Sequence, residues 1–140
     1  MKTLSHTIEV LIRFNEADPL GIVWHGHYVR YFEDGREAFG EQYGIGYMHF
    51  FKENIVVPIV HAECHYKKSL KFGDSVIVES TYHPCEAAKI IFNYRLYKKS
   101  DKSLVATGTT TQVFLDKDTQ TLLLNNPPFF LDWKKQQQLL

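Results

Sequence analysis

No sign of charge predominates in this chain: 16 Lys+Arg stand against 16 Asp+Glu, a formal net charge of zero at pH 7. That balance removes the broad field that steers a protein onto nucleic acid or an anionic membrane, and a small or modestly charged ligand fits better. Long apolar runs are also missing. The opening residues Met1-Lys2-Thr3-Leu4-Ser5-His6-Thr7-Ile8-Glu9 break every apolar stretch with polar groups, against a signal-peptide core. No later stretch is long enough to span a bilayer, so the chain is expected to be soluble and cytoplasmic. Only two cysteines occur. Cys64 and Cys85 lack CxxC spacing and are too few to staple a secreted fold, so they read as reduced packing residues. Among seven histidines, two pairs lie close in sequence: His25 with His27, and His61 with His65. Residues 61 and 65 fall in an expected strand, where i and i+4 lie about 13 Å apart, so no metal site is expected. There is no internal repeat, long linker or low-complexity block, and the Gln136-Gln137-Gln138 triplet is too short to matter.

What is present is apolar and aromatic: 44% and 14% of 140 residues, enough for one core and no more. Residues 1–140 are therefore read as a single domain, with a C-terminal tail from about 125. In residues 8–14, Ile8, Val10, Ile12 and Phe14 alternate with Glu9, Leu11 and Arg13, the period of a half-buried strand. A loop with Asp18, Pro19 and Gly21 follows. Over 26–43, Tyr28, Val29, Tyr31, Phe32, Ala38, Phe39 and Tyr43 recur at helical spacing. Glu33, Asp34, Arg36, Glu37 and Glu41 cover the other side, and Gly44 and Gly46 supply a stop. This is the only long helix expected. Strands are expected over 55–66, 75–82, 90–97 and 104–115, separated by Lys71-Phe72-Gly73-Asp74, Lys99-Ser100-Asp101-Lys102 and Asp116-Lys117-Asp118. Short links imply hairpins and an antiparallel sheet, with the helix packed across one face. The class is α+β in the order β-α-β-β-β-β. Pro127-Pro128, Phe129, Phe130 and Trp133 suggest a short docking helix in the tail, with a frayed end.

The loop before the aromatic helix places a carboxylate, a proline, a glycine and a histidine together. A helix N-terminus presents free N–H groups and the positive end of the macrodipole, suited to a carbonyl oxygen that becomes negative during acyl transfer. Removing one such donor elsewhere costs about 2.7 to 4 kcal/mol of barrier. Asp18 would then supply the attack. Residue types alone favour a plain turn over a catalytic group, because Asp-Pro favours turn initiation and a histidine at a helix start is commonly a local hydrogen-bonder.

The stretch Asp18-Pro19-Leu20-Gly21-Ile22-Val23-Trp24-His25-Gly26-His27-Tyr28, after a strand ending Arg13-Phe14, resembles the active-site segment of hotdog-fold thioesterases of the 4-hydroxybenzoyl-CoA thioesterase type. Val57-Pro58-Ile59-Val60, Lys71-Phe72-Gly73-Asp74 and Ala88-Lys89 also resemble segments of that family, so the likeness spans most of residues 5–116. It implies an antiparallel sheet wrapped around a central helix, paired into a homodimer or a dimer of dimers (a homotetramer), with sites between subunits. It implies an acyl-CoA thioesterase with no cofactor, since CoA is part of the substrate. Asp18 matches the catalytic aspartate, as nucleophile or general base, and His25 matches the position whose backbone N–H polarises the carbonyl. Gly26 and Tyr28 lie in the same segment as substrate-binding candidates. Lys89 resembles a basic position near the CoA phosphates, though an ordinary solvated lysine fits equally; Lys67 and Lys68 are further candidates. Where the family commonly carries Asp-Thr-Asp or Asp-Cys-Asp, this chain has Glu16-Ala17-Asp18, so a hydroxyl or thiol neighbour is missing.

Two other readings use the same fold. A hotdog hydratase or dehydratase would need an acid and base around Cα and Cβ, and no stretch resembles that signature. A non-catalytic acyl-thioester binding module would bind without turnover, because fold does not entail activity. The acyl group, and the choice between CoA and acyl-carrier-protein thioesters, are not legible. The aromatics of the helix could line an acyl pocket or simply fill the core.

Overall fold

The computed structural model of the chain describes residues 3–139. The first alternating segment forms β1 (Ser5–Leu11), with Ile8 and Val10 turned inward and Thr7, Glu9 and Leu11 outward. Ile12 continues the pattern and is fully buried. Phe14 does not, contrary to the alternation. The chain leaves the sheet after Ile12 and coils into a 3-10 turn (Phe14–Glu16), which carries Phe14 outward against Phe72 with ring centroids 5.6 Å apart.

The helical spacing builds α1 (His27–Tyr43), seventeen residues long. Tyr28, Tyr31, Phe32 and Phe39 are buried on one stripe, as i, i+3, i+4 spacing requires. Val29 lies off the stripe and is exposed, whereas Arg36, assigned above to the polar side, is only 7% exposed. Gly44 ends the helix in the left-handed conformation at φ +81°, and its N–H reaches Gly40 O at 2.8 Å. Two short helices accompany α1: α2 (Tyr47–Phe51) and α3 (Pro128–Gln136). In α3, proline at the first position loses no hydrogen bond, and Phe130 and Trp133 dock into the core. Leu140 lies outside the described residues.

The expected strand 55–66 is two strands, β2 (Ile55–Val56) and β3 (Ile59–Tyr66), parted at Val57-Pro58 because proline has no N–H to continue a ladder. Then follow β4 (Ser75–His83), β5 (Lys89–Lys98), β6 (Leu104–Val113) and β7 (Leu115–Asp116). The expected strand 104–115 is likewise broken at Phe114, and β7 pairs with β2 in a separate two-stranded ribbon. The main sheet is antiparallel throughout, in the order β1-β4-β5-β6-β3. Helix α1 crosses its inner face, against β1, β4 and β3. Ile90, Phe92, Tyr94 and Leu96 of β5 point to the helix, while Asn93 and Arg95 face out. The β-α-β-β-β-β order of the main elements is the one expected.

Helix and sheet close most tightly where the Phe32 ring stacks on Tyr94, with centroids 4.6 Å apart and planes 8° from parallel. The same ring covers Gly108 of β6. A Cβ at 108 would overlap it and stand 2.9 Å from Glu63 O. Gly108→Ala is therefore expected to destabilise the protein by about 1–3 kcal/mol, read as a lower midpoint in urea unfolding with unchanged slope.

Candidate active site

The loop between β1 and α1 is tied by one side chain. Glu16 is 3% exposed, and both of its carboxylate oxygens are used. Oε1 accepts the Arg13 N–H at 2.6 Å; Oε2 accepts the Tyr31 hydroxyl at 2.9 Å and pairs with the Arg30 guanidinium. Its own carbonyl accepts the Trp24 N–H at 3.0 Å. A buried carboxylate is tolerable only when so paired, and its partners come from the loop and from the first two turns of α1, so the two are locked together. Burial holds Tyr31 up at about 12, with Arg30 opposing, so its hydroxyl stays a donor at any physiological pH.

Between these anchors the chain makes a tight hairpin. Ala17 bridges Val23, the Asp18 N–H meets Ile22 O at 2.8 Å, and Gly21 N–H meets Asp18 O at 2.9 Å. Gly21 sits at φ +81°, a conformation that suits glycine. The Asp18 side chain makes an Asx turn, Oδ1 accepting the Leu20 N–H at 2.8 Å; among the described residues Oδ2 has no partner. The turn reading and the chemical one thus coexist in one side chain.

His25 and Gly26 lie where the loop becomes α1, Gly26 being the residue before the helix. Among the described residues nothing accepts from the backbone N–H of either. The His25 carbonyl is held instead by the Tyr66 hydroxyl at 2.8 Å, and the Tyr66 ring packs edge-on against Tyr28 with centroids 4.9 Å apart. Trp24 lies over Gly26 so closely that a side chain there would displace it. Asp18, His25, Tyr28 and Tyr66 line one open groove with Lys67, Lys68 and Ser69. A carboxylate and unpaired helix-end donors in one groove can act on a carbonyl from two sides.

Lys89 is not in this groove. It opens β5 opposite Val113, seven residues along the strand from Leu96, whose neighbour in β6 is Ala106 and, beyond it, Tyr66 of β3. That is about 23 Å along the sheet. Glu16 and Tyr66 escaped the sequence reading as separate groups. The only signal for Glu16 was its acidic position two residues before Asp18; for Tyr66 there was none, because its contact with His25 spans 41 positions. His61 and His65 flank Glu63 on β3, each Nε2 3.9 Å from the Glu63 carboxylate. Among the described residues no three His, Cys, Asp or Glu side chains converge on a metal position. Cys64 and Cys85 are free and half-buried, and no described helix is long and apolar enough to cross a membrane.

Comparison with known proteins gives the arrangement a context. The family described as the thioesterase-like superfamily matches residues 12–134. YneP of Bacillus subtilis (strain 168), whose acyl-CoA thioesterase name is provisional, is 28% identical over 111 residues, 79% of this chain and 80% of that protein. The 1,4-dihydroxy-2-naphthoyl-CoA hydrolase of Rippkaea orientalis is also 28% identical, over 78% of this chain and 80% of its own. Among solved structures, DHNA-CoA thioesterase from Staphylococcus aureus superposes with TM-score 0.85 at 23% identity, over 96% of this chain and 91% of that one. The 4-hydroxybenzoyl CoA thioesterase from Pseudomonas sp. strain CBS-3 gives TM-score 0.82 at 21% identity, over 94% and 97%. The fold is the hotdog fold.

The Glu16 lock generates a test. Tyr31→Phe removes one hydrogen bond to a buried carboxylate and is expected to cost about 1.5–3 kcal/mol in chemical denaturation. Unchanged stability would show that the loop does not lean on this contact.

Proposed function

The chain belongs to the thioesterase-like superfamily, and from that premise we propose that it hydrolyses acyl-CoA thioesters to a free acid and CoA through Asp18. The protein is a thioester hydrolase; its CoA substrate is inferred from the names its relatives carry. One observation carries the residue assignment: His25, whose N–H, like that of Gly26, has no partner among the described residues, lines the same groove as Asp18.

With the thioester carbonyl oxygen at those N–H groups, charge developing on oxygen meets two fixed donors and the positive end of a seventeen-residue helix. His25 acts through its amide rather than its ring. Asp18 either attacks the carbonyl carbon, giving an acyl anhydride that water then hydrolyses to the free acid, or takes a proton from the water that attacks that carbon. The carbon–sulfur bond breaks and CoA leaves as a thiolate, which needs little acid assistance, so the site is chemically adequate without a Ser-His-Asp set. No cofactor enters this scheme. Tyr66 is a positioning residue, holding the His25 peptide through its carbonyl.

The working unit is proposed to be a dimer, with tetramers as pairs of dimers. Strand β3 is a free edge of the main sheet, and Ile59, Val60 and Tyr66 on it are 38%, 59% and 49% exposed. Such an edge invites a further strand, and an identical β3 running antiparallel closes the requirement. That pairing carries the Ile59 end of one copy toward the Tyr66 end of the other, bringing Lys89 of one toward the groove of its mate. Lys67 and Lys68, already lining the groove, add positive charge for the CoA phosphates. The two free thiols suit a reducing, cytoplasmic setting.

Three expectations follow from these assignments. Asp18→Asn keeps the oxygen that makes the Asx turn, so it should fold normally while thiol release from an acyl-CoA panel falls by about 100-fold or more. Retained hydrolysis would remove Asp18 from the chemistry; binding without turnover in the wild type would make the protein a binding module. Lys89→Ala should raise KM for an acyl-CoA by about fivefold and leave the pantetheine thioester of the same acid unaffected. Sedimentation should find dimers or larger, and an active monomer would contradict the shared-edge arrangement.

A further inference from the structure

The second chemically uneven place in the molecule lies on the far half of α1. Arg36 is 7% exposed yet forms no ion pair among the described residues. Its guanidinium gives Nη1 to the Tyr94 hydroxyl at 3.2 Å and Nη2 to the Tyr47 hydroxyl at 3.1 Å, and its Nε is buried with no partner. Burial raises Tyr94 above the ordinary tyrosine value, with Arg36 opposing, so the phenol beside the cation is neutral. An arginine has five N–H donors and stays charged at any physiological pH, and a buried charge with no counter-charge is costly to keep.

The neighbours add donors rather than acceptors. Gln112 turns its amide nitrogen to Val57 O at 2.9 Å and to the Tyr47 oxygen at 3.5 Å. The Tyr47 oxygen thus receives two donors, while among the described residues nothing accepts its own proton. The Tyr94 hydroxyl shares its remaining contact with Thr110 at 2.6 Å. Positive charge and unspent donors therefore border one cavity, of about 20 Å³, enough for a single oxygen-sized group. Its other walls include Ile45, Phe50, Val57 and Phe92. Glu37 is the one carboxylate residue on its lining, and it is exposed and unpaired with Arg36. Tyr47 and Val57 also line an adjoining apolar cleft of about 260 Å³, with Met48, Phe51, Pro58 and Leu115.

We propose that this cavity binds the carboxylate of an amphipathic organic acid, an oxygen against Arg36 and Tyr47 and the hydrocarbon body in the cleft beside α2. A lone anion would leave the cleft empty, and an uncharged alcohol would leave the guanidinium unmatched; a carboxylate on an apolar chain satisfies both. Two sources present that group: a free acid, the chemical class released by thioester hydrolysis, and the far end of a dicarboxylic acyl thioester. The site goes beyond the thioesterase assignment; its binding test is read without turnover and does not depend on that assignment, and only the separation of the two sources rests on it.

Calorimetry of the full chain with octanoate, and with octanol as the uncharged control, tests it. Octanoate should bind the wild type about tenfold or more tightly than octanol, and Arg36→Met should abolish that difference. Arg36→Lys, which keeps the charge but not the fork, should retain only part of it and serves if the methionine variant does not fold. Hydrolysis of adipoyl-CoA against hexanoyl-CoA separates the sources. A preference for the adipoyl thioester that disappears in the Arg36 variants identifies the substrate's far end; equal rates with octanoate bound identify the free acid. Octanoate binding no tighter than octanol, or binding insensitive to Arg36, would overturn the proposal and leave the cavity to a structural water.

Discussion

The architecture of the groove depends on one buried carboxylate. Glu16 is enclosed, and an enclosed carboxylate without partners would be too costly to keep, so the Arg13 amide, the Tyr31 hydroxyl and the Arg30 guanidinium must all be in place. Because those partners lie on both sides of the loop, satisfying Glu16 fixes where the loop leaves β1 and where α1 begins. The Asp18 carboxylate and the His25 amide, seven residues apart in sequence, are carried on the segment so fixed. Their common groove follows from the charge balance of a residue that takes no part in the chemistry.

The rest of the fold serves the same end on a larger scale. Aromatic side chains of α1 press into the inner face of the sheet, with Phe32 on Tyr94 and Phe39 against Phe92. This contact leaves no freedom for the helix to slide along the strands, so its N-terminus stays beside the end of β3, where Tyr66 meets His25. Precision at the groove is thus inherited from packing well away from it. The same helix carries Arg36 into the interior, which makes its two halves chemically different: unpaired amides at its start, and a buried guanidinium held only by the hydroxyls of Tyr47 and Tyr94 further along.

Much of this was legible from periodicity. The alternation in β5 and the three- and four-residue spacing of Tyr28, Tyr31, Phe32 and Phe39 report burial directly, because the core demands those faces. The errors have specific causes. Phe14 continued the alternation of β1 but belongs to the turn that Glu16 closes, a contact between a backbone amide and a side chain that no hydrophobic pattern records. Arg36 looked like a surface charge because its partners Tyr47 and Tyr94 come from other elements. The strand breaks at Pro58 and Phe114 mark where the chain exchanges the main sheet for the β2-β7 ribbon, a choice made by tertiary pairing. At the site, Asp18 and His25 share one groove and come from one segment that resembles a known family, whereas Lys89, taken from a separate short likeness, lies about 23 Å along the sheet from it.

The central claim is that a thioester carbonyl sits between the Asp18 carboxylate and the amides that open α1. A crystal structure of the Asp18→Asn protein with an acyl-CoA bound tests this most directly. The carbonyl oxygen is expected about 3 Å from the His25 N–H, with the carbonyl carbon facing residue 18. A thioester bound with its carbonyl away from the start of α1 would contradict it.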